Sequence, residues 1–255
     1  MFRLDKWYLD CIDDSGAVVI GYHARLSWRA LRVSYAARLG CDAAGTADER
    51  WTVRSTAAPV KAGDTITWQC APLGVNGAWR ATVPTLRRTL HYSSQGLLRW
   101  QCLAPRADVT LSGDVAMHGT GYVERLVLTV PPWVLPIDTL LWGRVHAPGH
   151  TLVWIEWRGR EPRRHIWHNG AAVSGSIDDN GVVLDDGVVI DFDEDRTLRD
   201  APVLGTVATA VPKLAALVPH GFANAHERKR VSRAMVHDRG AVSVGYALHE
   251  TVTLR

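Results

Sequence analysis

The chain has 255 residues, 47% of them apolar, and a formal net charge of +3. That length fills one large β domain or two small ones, and the basic residues are too evenly spread to form a nucleic-acid footprint. It holds no apolar run long enough to span a bilayer, and residues 1–7 lack a signal-peptide core, so no stable membrane insertion and a cytoplasmic location are expected.

From the N-terminus onward, helix signals are scarce, while short alternating segments bounded by Gly, Pro and Asp recur. Residues 7–12 and 17–22 flank Asp13-Asp14-Ser15-Gly16, the pattern of a hairpin with a glycine-containing loop. In 31–39, Leu31, Val33, Tyr35, Ala37 and Leu39 share one face and Arg32, Ser34, Ala36 and Arg38 the other, which predicts a sheet with one wet surface. Further strands are predicted at 51–55, 65–70, 79–84, 89–92 and 97–103, each bounded by turn residues. A central strand runs from His118 to Val130. Behind it, Pro131-Pro132-Trp133-Val134-Leu135-Pro136 cannot join a ladder, because three of its residues have no N–H to donate, so a rigid crossover is expected. Strands at 140–146, 151–157 and 163–168 follow, all rich in Trp. Residues 177–200 read as stacked hairpins turning at Asp178-Asp179-Asn180-Gly181 and Asp185-Asp186-Gly187. A short helix is expected within 211–218, and the basic run Arg228-Lys229-Arg230 is expected to open an exposed segment. The last strand places Val242, Val244, Tyr246, Leu248, Glu250, Val252 and Leu254 on one face.

The pattern is all-β with at most one or two short helices. Gly21-Tyr22, Gly121-Tyr122 and Gly245-Tyr246 each enter a strand, a faint internal repetition that points to two related halves. Cys11, Cys41, Cys70 and Cys102 form neither a Cys-x-x-Cys pair nor a disulfide framework, and are expected as reduced, half-buried strand residues. Eleven tryptophans against three phenylalanines suit either a large β core or a ligand-lined interior. His165 and His168 point to opposite faces of a strand, and Asp191, Asp193 and Asp195 lack the glycine and glutamate of a calcium loop, so no metal site is expected. No nucleophile elbow and no phosphate-cradling loop is present.

The most informative residue is Glu124. Alternation puts it on one face with Tyr122, Leu126, Leu128 and Val130, and a carboxylate there must be paired, hydrogen-bonded or protonated. Two readings stay open. Arg144, on the strand Trp142-Gly143-Arg144-Val145-His146, is the natural counter-ion of a structural clamp. Alternatively Glu124, held by Tyr122, stays protonated in an apolar pocket and acts as a general acid, with His118 or His146 at the rim. Tyr246 and Glu250 repeat the Tyr and Glu on one face of the last strand.

Gly119-Thr120-Gly121-Tyr122-Val123-Glu124, the Pro132–Pro136 crossover, Leu141-Trp142-Gly143-Arg144 and Trp154-Ile155-Glu156-Trp157 resemble the core of the carotenoid 1,2-hydratase (hydroxyneurosporene synthase) superfamily over about residues 97–170. The resemblance implies two lipocalin-like antiparallel β-barrel or sandwich halves, placed at 1–131 and 132–255. It implies that Tyr122 and Glu124 are catalytic and that the ligand is a small hydrophobic, isoprenoid-like molecule. Glu124 would protonate an alkene, Trp142 and Trp154 would stabilise the cation, and no cofactor would be needed. The sequence departs from the family in its shorter length and in Arg125-Leu126, where relatives continue with more polar residues. The rival reading is a non-catalytic carrier or scaffold of the same fold. Candidate ligand-binding residues are Trp142, Arg144, His118, His146, Trp154, Tyr246 and Glu250; the oligomeric state is not encoded in any pattern of the sequence.

Overall fold

The computed structural model describes residues 1–203, 205 and 218–254. It divides into two compact units, Met1–Leu135 and Pro136–Arg255. Among the described residues each unit has its own antiparallel sheet, of ten strands in the first and nine in the second. Short helical turns lie at Ala71–Leu73, Pro132–Val134 and His220–Ala223. The helix expected within 211–218 falls outside the described residues, apart from Val218. No helix among the described residues is long and apolar enough to cross a membrane.

The first unit contains β1 (Phe2–Ile12), β2 (Val18–Trp28), β3 (Leu31–Cys41), β4 (Ala47–Thr52), β5 (Val60–Ala62), β6 (Thr65–Cys70), β7 (Val75–Ala81), β8 (Leu86–Ser93), β9 (Gly96–Gly113) and β10 (Met117–Leu128). Their order across the sheet is β4-β3-β2-β1-β10-β9-β7-β6-β5, with β8 pairing to β9 off this path. The predicted first hairpin is present, and its turn chemistry explains it. Asp13 Oδ1 accepts from the N–H groups of Ser15 at 2.9 Å and Ala17 at 3.0 Å, and Gly16 takes a φ of 82° that suits glycine.

The second unit contains β11 (Thr139–Ala147), β12 (His150–Arg158), β13 (Arg163–His168), β14 (Ala171–Val173), β15 (Gly175–Ile177), β16 (Gly181–Leu184), β17 (Val189–Pro202), β18 (His226–Asp238) and β19 (Ala241–Thr253). Their order is β14-β13-β12-β11-β19-β18-β17-β16-β15. Leaving β8 aside, this is the order of the first unit: a four-strand meander runs outward from the first strand, and the last strand returns to pair with it. The glycines of the repeated Gly-Tyr pairs occupy matching places in that return. A Cβ on Gly121 would lie 2.0 Å from the Asp10 carbonyl oxygen on β1, and one on Gly245 would lie 2.0 Å from that of His146 on β11. Both positions need glycine because the last strand passes so close to the first.

Each unit packs a core against one face of its sheet. In the first, Trp7, Leu9, Cys11, Trp68, Trp79 and Val123 belong to one buried cluster; in the second, Leu141, Val145, Trp154, Ile190, Ala234 and Ala247 do. Three expectations need correction. The face of β3 expected to be wet is buried toward its C-terminal end: Ala36 joins the core, and Arg38 is 2% exposed because its guanidinium donates to the Leu73 carbonyl at 3.1 Å and pairs with Asp48. The run Arg228-Lys229-Arg230 lies inside β18, where Lys229 and Arg230 are buried among carboxylates. The four cysteines are free and fully buried, not half-buried.

Candidate active site

Glu124 sits in the middle of β10, and the packing around it follows from the register of the neighbouring strands. Leu9 pairs with Val123 and Tyr8 with Glu124, so Val123 faces the aliphatic core while Glu124 faces the other side of the sheet. That side is buried too, yet it is aromatic and polar. Tyr8, Trp100, Cys102, Tyr122 and Glu124 are each at most 6% exposed. Tyr8 packs edge-on against Tyr122, with centroids 6.0 Å apart, and against Tyr22, with centroids 5.5 Å apart.

Irregularities in β9 bring the remaining partners. The ladder between β9 and β10 shifts register between Gly121 and Val123 and again between Val123 and Glu124. Pro105, which has no N–H to contribute, lies on β9 at this point. The two shifts move β9 by two residues, so that Cys102 rather than Ala104 lies opposite Glu124, and Trp100 lies opposite Leu126. The Trp100 indole N–H then donates to Glu124 Oε2 at 2.5 Å, and the Tyr122 hydroxyl donates to the same oxygen at 2.7 Å. Two neutral donors thus meet on one carboxyl oxygen. Burial, with Cys102 and Glu124 adding to it, pushes the Tyr122 hydroxyl well above its usual range, so it stays protonated and remains a donor. Burial likewise pushes the Cys102 thiol up, which keeps it an unreactive thiol at neutral pH.

The flanking residues of β10 are accounted for separately. Arg125, on the core side, donates to both carboxylate oxygens of Asp5, at 2.9 and 2.5 Å, and lies 5.2 Å from the Trp7 ring centroid. That is a reason for Arg125 to stand where relatives were expected to be more polar. His118 is exposed at the far end of the strand, where its Nδ1 lies 3.2 Å from the Thr110 hydroxyl. Six residues of strand put it roughly 20 Å from Glu124.

The other candidates belong to the second unit and fall on two faces of its sheet. Trp142 pairs with Ile155 and Gly143 with Trp154, so Trp142 and Trp154 point to opposite sides. Trp154 is core: it covers Gly143, where a Cβ would come within 2.1 Å of its ring, and stacks on Phe192 at 5.9 Å. Trp142 lies on the opposite face with the Lys229 ammonium 5.6 Å from its ring centroid. Lys229, 1% exposed, is paired with Glu250 and lies 3.5 Å from Glu227. Glu250 is therefore an ion-pair partner, four residues from Tyr246, whereas Glu124 is two residues from Tyr122. Arg144 is buried on β11, with Nη1 3.5 Å from the Tyr246 carbonyl oxygen. His146, also buried, lies opposite Tyr246 in register. Glu156, which shares a strand with Trp154, is held by Arg164 at 2.7 Å and Arg158 at 2.8 Å; burial pushes its carboxyl up, and these two guanidiniums together bring it below the usual carboxylate range. Among the described residues no three His, Cys, Asp or Glu side chains converge to hold a metal ion.

No known family profile matches the sequence, and neither does any curated protein. Solved structures do match in shape. CghA has a TM-score of 0.61 at 12% identity over 99% of this chain and 88% of its own. An AttH-like protein from Nitrosomonas europaea has a TM-score of 0.62 at 10% identity, over 100% of this chain and 94% of its own. Kievitone hydratase from Nectria haematococca has a TM-score of 0.52 at 14% identity, over 98% of this chain and 88% of its own.

The chain has the fold that these three structures share. The match spans both units, so the shared fold extends well beyond the stretch 97–170 that carried the resemblance in sequence. Within that fold, Trp100 and Cys102 are the partners of Glu124 that the sequence did not disclose. Their only signal was Pro105 in an otherwise alternating strand.

Proposed function

We propose that this protein binds a small hydrophobic, isoprenoid-like alkene and hydrates, isomerises or cyclises it by proton transfer from Glu124, without a cofactor. The observation that carries this reading is the convergence of the Trp100 N–H and the Tyr122 O–H on Glu124 Oε2. With Oε2 accepting both donors, the acid's own proton sits on Oε1, and that is the proton delivered to the alkene. Its departure leaves a negative charge on a carboxylate whose two donors are already in place, so little reorganisation is needed as charge develops. Glu124 is 6% exposed, and the proposed reaction requires its resting form to be the neutral acid, the form that burial favours. Tyr8 and Tyr22 lie on the same side of the sheet as Trp100, and in the proposed reaction their rings supply π faces for the cation.

Three outcomes are then open to the cation. Water adds to it in a hydration, and the proton released returns to Glu124; a second double bond of the same molecule closes a ring, and the ring cation this forms loses a proton to Glu124; or an adjacent C–H of the first cation gives its proton back to Glu124 to yield an isomer. A hydratase built on this fold, kievitone hydratase, supports hydration among the three.

The test uses isoprenoid alkenes in deuterated water. Wild-type protein is expected to place solvent deuterium on carbon. Glu124→Gln is expected to bind the same alkene, read by tryptophan fluorescence, and to lose turnover by about a hundredfold or more. Turnover equal to wild type in a folded Glu124→Gln protein would overturn the proposal, and collapse of the fold in that variant would make the carboxyl a structural partner instead.

A further inference from the structure

At the turn end of the second unit, two histidines that are distant in sequence come together. His150 opens β12 and His168 closes β13, the neighbouring strand, where Leu152 and His168 are paired in register. His150 Nδ1 lies 3.0 Å from His168 Nε2, and the two rings are parallel to within 1° with centroids 5.2 Å apart. The strand ends that carry them are fixed by Asn169. Its side-chain oxygen accepts from the Thr151 N–H at 2.8 Å, its side-chain nitrogen donates to the Gly149 carbonyl at 3.0 Å, and its backbone N–H donates to the Thr151 carbonyl at 2.8 Å. Both rings are only partly buried, so an ion can reach them from solvent.

We propose that His150 Nδ1 and His168 Nε2 bind a divalent transition-metal ion of the zinc, copper or nickel class. Two imidazole nitrogens about 2.0–2.1 Å from a tetrahedral metal are separated by roughly 3.3 Å. The observed separation is short of that by a few tenths of an ångström, a change that small rotations of the two side chains supply. The remaining positions are filled by water, since no third His, Cys, Asp or Glu converges there among the described residues. Imidazole nitrogen suits these metals. The charged groups facing His168 favour a cation. Burial and then His150 push the His168 imidazole below its usual range, so at neutral pH it is a neutral ligand, while Asp186 and Asp238 act on it in the opposite direction through their negative charge. In the metal-bound pair, the proton now shared between the two nitrogens moves to the outer nitrogen of the same ring, so no group is oxidised or lost.

The full chain, stripped of metal with a chelator, is titrated with Zn(II) alone and with Ni(II) alone, in competition with a chromogenic chelator. Saturable one-to-one binding is expected, weakened about tenfold or more in His150→Ala and in His168→Ala. It is expected to be unchanged in His237→Ala, a surface histidine paired with Asp191. Acidification should weaken binding, because protons compete with the metal for ligand nitrogen. In the unaltered protein, substoichiometric Ni(II) should broaden the imidazole resonances of His150 and His168 before those of any other histidine, a readout independent of how the variants fold. Absence of saturable binding, wild-type affinity in both His150→Ala and His168→Ala, equal loss in His237→Ala, or uniform broadening of all histidines would overturn the site.

Discussion

At the scale of single residues, several of the charged groups buried in these sheets are held by named partners. Glu124 has Trp100 and Tyr122, Lys229 has Glu250, and Arg230 has Asp179 and Asp195. His249 is another such group. It is 5% exposed, and its Nε2 lies 2.7 Å from the Ser232 hydroxyl, which in turn donates to Asp195. Burial first, and then the Arg230 cation, push this imidazole down to about 4. Its folded-state value is thus below its unfolded one, so the unfolded chain takes up a proton that the folded chain refuses. The stability this represents is complete above roughly pH 6.5 and is lost as the pH falls from there toward 4, to an extent of about 3 kcal/mol. Urea unfolding across that range should show a loss for the wild type that His249→Gln largely removes; an identical pH dependence in the variant would contradict it. The sequence made Glu124 conspicuous, because alternation is a local property. It could not name Trp100, since the donor arrives from a strand whose register depends on two irregularities.

Among the elements, the predicted strands are nearly all present, and 65–70 and 163–168 coincide with β6 and β13. What alternation could not say is which face of a strand meets a core. The central strand illustrates this: Val123 faces the aliphatic cluster, and Glu124 lies on a second buried face lined by tyrosines, Trp100 and Cys102. A two-residue period identifies companions on a face and is silent about what covers that face. The same limit misplaced Lys229 and Arg230, because charge in a short run reads as exposure unless the opposing carboxylates are known. Gly121 supplies the prediction at this scale. Gly121→Ala would drive a Cβ into the Asp10 carbonyl oxygen on β1 and force the two strands apart. It is expected to cost about 1–3 kcal/mol in chemical denaturation, and a variant as stable as wild type would mean that the strands pass less closely than described.

For the molecule as a whole, the repeated Gly-Tyr pairs gave only a faint signal of duplication, because the two units share strand order rather than side chains. Gly121 and Gly245 survive in both because backbone contact demands them; Glu124 and Glu250 do not correspond. The cysteines are a whole-molecule probe of folding. Cys11, Cys41, Cys70 and Cys102 are all free and buried, with burial pushing the thiols of Cys70 and Cys102 up. All four are expected to react with an aromatic disulfide reagent only at the rate of unfolding, and rapid reaction of any of them in native buffer would contradict the packing described. The proposed reaction turns on one proton, the one carried by Glu124. Infrared difference spectroscopy of wild type against Glu124→Gln at neutral pH reads it without any substrate. A carboxylic acid carbonyl band that shifts in deuterated water, present in the wild type and absent from the variant, is the predicted result. A difference spectrum holding only carboxylate bands would contradict the account, because Glu124 would then have no proton to give.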